Sequence, residues 1–312
     1  MATPMKIFSG TSHPTLAEAI ARELKIPVSG LLVKKFACGE IYAKADETMR
    51  GADVFVVQTC TKNVNEDLME LFVVLDSLKR SFAGRIHVVM PHYGYSRQDR
   101  VATPREPISA KLMADLISAA GADHVITMAL HSDQEQGFFN FPVDNVNPNK
   151  LFADYFRKKN LKDLCVVSPD AGGAKDAKIF ADLLGATLAI IHKQRPEHNK
   201  SEIVHVVGDV AGKTCLLYDD MVDTGGSVCA AVEVLKKAGA NEDVYLGAAH
   251  AVFSDPAVDR LAEAGFKEVV VTDSIPLGDK TFEGLKVLTI APLFARIIRS
   301  VHEGKSVTEA FL

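Results

Sequence analysis

The sequence predicts an α/β chain of two tandem domains, each a mostly parallel sheet flanked by helices. Three observations carry this. Short apolar, β-rich runs alternate with amphipathic stretches of helix length along the whole chain, the pattern of parallel strands joined by crossover helices. The 312 residues are enough for about two globular domains of ~150 residues each. The two halves also repeat each other weakly, RIHVVMPHYGY…AKLMADLISAAGADHVITMALH against KTCLLYDDMVDTGGS…AAVEVLKKAGANEDVYLGAAH. Both read strand, polar loop, helix, Ala-Gly-Ala, strand, His, in an element order too long for a solenoid repeat.

Taken in order, the first half opens with an amphipathic helix at Leu16–Leu24 and a β-branched run at Val54–Gln58. A helix of about three turns at Leu68–Lys79 precedes the strand Ile86–Met90, and Ala110–Ala120 precedes the strand His124–Met128. The second half places strands at Leu164–Ser168, Thr187–Ile191, Thr214–Tyr218, Val244–Ala248 and Glu268–Thr272, with helices at Ala174–Leu184 and Val228–Ala238. The boundary falls near Asn147–Pro148, giving domains 1–146 and 147–312. No Ser/Gly linker marks it, so the halves are expected to pack tightly, with the last stretch, Ala295–Leu312, returning to the N-terminal domain.

Composition narrows the function. Thirty-five Lys and Arg against 40 Asp and Glu give a net charge of −5, which argues against general binding to nucleic acid or to an anionic membrane. Any anion must be held by a local site. The start, MATPMKIFSGTSHP, has one Lys and lacks the apolar segment of a secretory signal, and no long uncharged run follows, so a cytoplasmic protein is expected. Five cysteines, with no CxxC pair and no His cluster at zinc spacing, read as free buried thiols.

The most informative segment is CLLYDDMVDTGGSV, residues 215–228, where an apolar strand runs into three acids and Thr224-Gly225-Gly226-Ser227 opens a helix. Glycines let backbone N–H groups converge on an anion, the helix N-terminus adds its positive end, and the hydroxyls of Thr224 and Ser227 can donate to phosphate oxygens. Asp219 and Asp220, at the strand end, can take hydrogen bonds from vicinal hydroxyls directly or through a magnesium ion. A sugar phosphate is the natural ligand. A second loop, SPDAGGAK at 168–175, follows the strand LCVVS, with Asp170 at the strand end and Gly172-Gly173 leaving amides for a second anion.

LLYDDMVDTGGS resembles the phosphoribosyl diphosphate-binding signature of the type I phosphoribosyltransferase fold. PHYGYSRQDR…REPISAKL at 91–112 and LHSDQEQGFFNFPVDN at 130–145, with the diphosphate loop, resemble the ribose-phosphate diphosphokinase family over Lys6–Phe311. The resemblance implies two tandem phosphoribosyltransferase-type, Rossmann-like domains. It also implies Mg²⁺-dependent transfer of the diphosphoryl group of ATP to the 1-hydroxyl of ribose 5-phosphate, giving 5-phosphoribosyl 1-diphosphate and AMP for nucleotide biosynthesis.

By the same resemblance, Asp219, Asp220, Asp223, Thr224, Gly225, Gly226 and Ser227 hold ribose 5-phosphate, and Asp170, Gly172 and Gly173 form the diphosphate loop. Lys193 and Arg195 stabilise the transferring group from a mobile loop, PEHNKSE, that follows them. ATP is expected at Arg97, Gln98 and His131, with Phe36 and Glu40 of a neighbouring subunit gripping the adenine. His131 and Asp170 belong to the metal environment, His131 as a ligand or as a contact to the phosphates. Self-association into dimers that build a hexamer is implied. So is a regulatory anion site at Thr48, Arg50, Ser306 and Thr308, answering to inorganic phosphate or ADP.

Four positions depart from the family pattern. Ala129 stands where an acid usually precedes the histidine by two residues, Cys38 where an Asp or Asn helps hold the adenine, Asp176 where a basic or neutral residue is common, and Thr48 where Ser is usual. These motivate one rival reading, a catalytically weak regulatory paralogue of such a synthetase. The other rival, a base phosphoribosyltransferase, is disfavoured by the RQD and LHSDQEQGFF segments.

Overall fold

The chain was obtained as a computed structural model, which describes residues 3–194 and 203–310. It divides into two compact units, one formed by residues 1–147, 274–276 and 289–312, the other by 148–273 and 277–288.

The first unit begins with β1 (Met5–Ser9) and α1 (Pro14–Leu24), followed by the antiparallel hairpin β2 (Leu31–Lys35) and β3 (Ile41–Ala45). It continues through β4 (Asp53–Val57), α2 (Val64–Arg80), β5 (Arg85–Met90), α3 (Ser109–Ala120), β6 (His124–Met128) and β7 (Val143–Val146). Five strands lie parallel in the order β1-β4-β5-β6-β7. After α1 the chain reaches Val28, which bridges Ile7 in parallel on the edge of β1 opposite to β4. The crossovers therefore run first one way and then the other, and their right-handedness puts α1 on one face of the sheet and α2 and α3 on the other. The core between sheet and helices is built from Val54, Val56 and Val88 against Leu68, Leu71, Leu75, Ala114 and Ile117, all fully or nearly fully buried.

The second unit holds α4 (Asn149–Arg157), β8 (Leu164–Ser168), α5 (Ala174–Leu184), β9 (Thr187–Gln194), β10 (Ile203–Val207), β11 (Thr214–Val222) and α6 (Gly226–Lys237). It closes with β12 (Val244–Ala251), α7 (Ala257–Glu263), β13 (Glu268–Thr272) and β14 (Leu285–Leu288). The seven strands run β10-β9-β8-β11-β12-β13-β14, all parallel except the antiparallel β10–β9 pair. An aromatic cluster fills one face, with Tyr218 stacked on Phe180 at 4.1 Å between ring centroids. Val228, Val232 and Leu235 of α6 cover the other. The chain then returns to the first unit as α8 (Ala291–His302), packed along α1, where Arg299 donates to the Glu23 carbonyl at 3.2 Å and His302 meets Asp53 at 2.8 Å.

Several strands differ in length from the expectation, and the difference moves functional residues. β11 runs on to Val222, so Asp219 and Asp220 lie within a paired strand, Asp219 opposite Ala248. β9 runs on to Gln194, so Lys193 is inside a strand paired with β10 and not in the loop after it. β6 stops at Met128, three residues before His131, and Ala129 takes φ +46°. Positions 129 and 131 thus lie beyond the strand, where the two-residue alternation of side chains that would put them on one side does not hold. Three cysteines, Cys60, Cys165 and Cys215, are buried as expected, whereas Cys38 is exposed and Cys229 half-buried.

Candidate active site

In the second unit the crossovers leave β8 and β11 in opposite directions, through α5 to β9 and through α6 to β12. Adjacent strands whose connections diverge leave a crevice beyond their carboxyl ends, where ligands of open α/β sheets bind. Both anion loops predicted from the sequence sit there, Asp170–Gly173 after β8 and Asp223–Gly226 after β11. Gly225 caps α6 with φ +75°, a left-handed turn that costs glycine nothing and aims the first N–H groups of the helix outward. Thr224 and Ser227 are exposed beside them, and Asp223 is half-buried. The ligand for which this geometry is suited is a phosphate at the helix N-terminus with hydroxyls toward the acids.

Sequence reasoning missed one cation here. Arg260 of α7 donates from Nη1 to the Thr224 carbonyl at 3.1 Å, and the same nitrogen lies 3.7 Å from where a Cβ on Gly226 would stand. Its own carbonyl accepts from Cys229 Sγ at 3.5 Å, tying α7 to α6. The guanidinium neutralises a loop carbonyl that would otherwise repel an anion. Only the topology brings it to the loop, since 36 residues separate Arg260 from Thr224 in sequence.

The diphosphate loop departs from expectation in one respect. Gly173 N–H donates to Asp170 Oδ1 at 3.0 Å, and Ser168 Oγ–H donates to the Asp170 carbonyl at 2.7 Å. The Gly173 amide is thus held by the loop's own carboxylate and becomes available to an anion only when Asp170 turns away. A cation would draw it off. Burial raises the Asp219 carboxyl well above the usual carboxylate range, and the negative charges of Asp220 and Asp170 add to the shift. Asp220 N–H, donating to Asp219 Oδ1 at 2.9 Å, opposes it. Three mutually repelling carboxylates are hard oxygen donors of the kind Mg²⁺ takes. Among the described residues, however, no group of three or more His, Cys, Asp or Glu side chains is drawn together closely enough to hold an ion unaided. Asp176 sits in the first turn of α5, where an acid favours the helix dipole.

Lys193 is placed by its backbone opposite Val204. Arg195 and the PEHNKSE segment lie outside the described residues.

The nucleotide candidates belong to the first unit. Phe36 is 43% exposed at the tip of the β2–β3 hairpin, not in the core, edge-on to Tyr42 with the Lys34 ammonium 5.2 Å from its ring centroid. Glu40 is exposed and its carbonyl accepts from Phe36 N–H at 2.8 Å, closing the hairpin turn. The hairpin leans on α2 through Lys35–Glu66, and Tyr95, next to Ser96, hydrogen-bonds Asn65 of the same helix turn. Arg97 and Gln98 are exposed, and Gln98 Oε1 accepts from Ser109 at 2.6 Å, so the amide offers a base its N–H₂ group. His131 is exposed in the segment after β6, and its backbone N–H donates to Ser96 Oγ at 3.0 Å. Beneath both stands Glu135, a fully buried acid that sequence reasoning also missed.

Connectivity makes β4, and not the β5 segment of the sequence repeat, the counterpart of β11, and the crevice of the first unit that corresponds to the candidate sugar-phosphate site, between β1 and β4, is filled by its own side chains. Glu70 accepts from Thr11 N–H and Oγ–H at 2.6 and 2.5 Å, Gln58 Nε2 donates to Glu70 at 3.1 Å, and Ser12 donates to Gln58 Oε1 at 2.8 Å. A Cβ on Gly10 would fall 2.1 Å from the Gln58 oxygen. Of the regulatory candidates, Arg50 lies over the Phe82 ring at 4.1 Å, while Thr48, Ser306 and Thr308 are exposed. No described helix is long and apolar enough to cross a membrane.

Comparison with known proteins agrees with this geometry. A family model for the N-terminal domain of ribose phosphate pyrophosphokinase matches residues 5–121, and one for a phosphoribosyl synthetase-associated domain matches residues 197–312. A ribose-phosphate pyrophosphokinase of Clostridium acetobutylicum is 49% identical over 310 residues, covering 98% of this chain and 97% of the relative. One of Mycobacterium tuberculosis is 49% identical over 313 residues, covering 98% and 95%. The crystal structure of phosphoribosylpyrophosphate synthetase from Mycobacterium smegmatis matches with a TM-score of 0.92 at 46% identity, over 97% of this chain and all of that one.

Proposed function

The chain belongs to the ribose-phosphate pyrophosphokinase family, and on that premise we propose that it is a working synthetase whose second unit holds the acceptor and whose first unit holds ATP. The 1-hydroxyl oxygen of ribose 5-phosphate attacks the β-phosphorus of ATP. The bond from that phosphorus to the oxygen shared with the α-phosphate breaks, AMP leaves, and the hydroxyl proton passes to solvent. Residues 223–227 hold the 5-phosphate, and Asp219 and Asp220 orient the ribose hydroxyls. Arg97, Gln98 and His131 hold the nucleotide, and the Phe36–Glu40 tip, left open on its hairpin, grips the adenine of a neighbouring subunit. Alignment and charge neutralisation supply most of the rate, and no covalent enzyme intermediate is needed.

Asp170 and His131 are the residues assigned to Mg²⁺, which when bound supplies charge neutralisation at the transferring phosphoryl groups. Lys193 and Arg195 add positive charge to the same groups. The reading extends to self-association, to regulation by phosphate or ADP at Thr48, Arg50, Ser306 and Thr308, and to a cytoplasmic location, with family membership as its support.

The observation that carries the reading is the pair of anion loops on adjacent strands at the point where the connections of the second sheet diverge. Purified protein with ATP, Mg²⁺ and ribose 5-phosphate should yield AMP and phosphoribosyl diphosphate in equal amounts, abolished in Lys193→Ala. Folded protein that binds ribose 5-phosphate but releases no AMP would instead establish the regulatory paralogue.

A further inference from the structure

Glu135 is fully buried, on the 3₁₀ turn Asp133–Phe138, and an acid in that position requires partners. Ser96 and Ser132, which hydrogen-bond it, lie in the two segments that carry the nucleotide candidates. Ser96 Oγ–H lies 2.8 and 2.9 Å from the two carboxylate oxygens, and Ser132 N–H donates to Oε1 at 2.9 Å. Ser96 Oγ in turn accepts the His131 N–H at 3.0 Å. A continuous path therefore runs from the backbone of His131 through the Ser96 hydroxyl to Glu135, and back to the backbone of Ser132. Ser96, itself 5% exposed, is the residue immediately before Arg97 and Gln98.

The arrangement is costly. Burial pushes the Glu135 carboxyl up to about 7, against the opposing hydrogen bonds from Ser96 and Ser132 and the nearby His131. An apolar pair of similar volume would fill the same space without that cost. What an apolar pair would not do is fix the turn carrying Arg97 and Gln98 in register with the segment carrying His131, since both hang on one carboxylate. Ala129, left-handed and without a side-chain oxygen, contributes no such tie.

We propose that Glu135 is a positioning residue for the nucleotide half of the reaction, acting through Ser96 to hold Arg97–Gln98 and His131 in one fixed arrangement. This rests on the reading that those three residues meet ATP, and it adds a group that contacts neither substrate.

The test is steady-state kinetics on the full-length protein, varying ATP at saturating ribose 5-phosphate and the reverse, for Ser96→Ala, Glu135→Ala, Glu135→Gln and Arg97→Ala. Ser96→Ala and Glu135→Ala should raise the KM for ATP about tenfold, equivalent to about 1.4 kcal/mol, and leave that for ribose 5-phosphate within about twofold. Glu135→Gln, which keeps an acceptor for Ser132 and can exchange hydrogen bonds with Ser96, should retain most of the parent's ATP affinity. Should Glu135→Ala fail to fold, as judged by its melting curve, Ser96→Ala decides alone, because it removes one oxygen. A Ser96→Ala enzyme with the parent's KM for ATP overturns the proposal, as does an equal rise for both substrates, which would mark a general structural role. Arg97→Ala with unchanged ATP kinetics would remove the underlying reading of the nucleotide site, and the positioning role with it.

Discussion

Arg260→Ala should weaken the sugar-phosphate site and leave the nucleotide site alone. The guanidinium makes a charged hydrogen bond to the Thr224 carbonyl at 3.1 Å and stands beside Gly226, where the anion-binding amides begin. A hydrogen bond to a charged group contributes about 1.5–3 kcal/mol when sheltered, but Arg260 is exposed, and solvent screening reduces that to about 1 kcal/mol or less. Its attraction for a phosphate held at ~6 Å adds about 0.7–2.8 kcal/mol per unit charge for effective dielectrics between 80 and 20. Because Arg260 is exposed, the weak end of that range applies, and the two contributions together put about 1.5–2 kcal/mol at stake, roughly a 10- to 30-fold rise in the KM for ribose 5-phosphate. Arg260→Lys keeps the charge and loses the fork, so it should fall between. Initial rates over a range of ribose 5-phosphate at saturating ATP and Mg²⁺ measure the effect, with the KM for ATP as internal reference. A ribose 5-phosphate KM within twofold of the parent's, in a protein that melts as the parent does, would refute the assignment of Arg260 to the cradle.

Two further outcomes test the fold around these sites. At Gly225 an added Cβ would meet only ordinary contacts, its nearest neighbour being Ala257 Cα at 3.7 Å, so the cost of Gly225→Ala is the φ of +75° alone, about 1–2 kcal/mol of stability. Gly226→Ala, with ordinary backbone and only ordinary contacts, Arg260 Nη1 at 3.7 Å and Thr224 Oγ1 at 3.9 Å, should be near neutral, and equal urea midpoints for the two variants would contradict this. His87 is buried, stacked on Phe55, with His124 Nδ1 3.0 Å from its own Nδ1 and Asp53, Arg85 and His302 acting on it. Burial, reinforced by His124, lowers its pKa to about 4, so the folded state binds fewer protons than the unfolded chain, and stability present above pH ~6.5 is lost as pH falls toward 4. His87→Gln should remove about 2 kcal/mol of the loss between pH 7 and pH 5; an unchanged pH slope in denaturant titrations would show that His87 is not its source.

How much of this was legible in the sequence follows from which interactions are local. The central strands and their crossover helices were readable because continuous β-branched runs and three-turn amphipathic stretches signal themselves, and both anion loops because glycine, hydroxyl and acid fall within a few residues. The hairpin that presents Phe36 and the short β7 and β14 carry weak periodicity and are fixed by their neighbours, whereas α8, with Leu293, Phe294, Ile297 and Ile298 on one buried face, carries a clear helical pattern that the reading of Ala295–Leu312 as a returning tail does not use. Strand ends were misplaced where polar residues continue a ladder, as Asp219 and Asp220 do opposite β12. Arg260 and Glu135 were invisible for another reason. Each acts on a segment 36 to 39 residues away, and only the folded sheet makes them neighbours.

The filled crevice of the first unit fixes a count. A chain made by repeating one α/β unit inherits two places where a loop and a helix end could cradle a sugar phosphate. Here Gln58 and Glu70 occupy one of them with their own oxygens, in the position of an anion's, and Glu70 brings a negative charge that repels the real ligand. The tandem copy therefore does not double the capacity of the chain. On the proposed reading, equilibrium titration should give one ribose 5-phosphate per polypeptide, and a stoichiometry of two would refute the blockade. Self-blockade of one crevice leaves the two halves of a repeated fold chemically unequal, as a transfer between two different substrates requires.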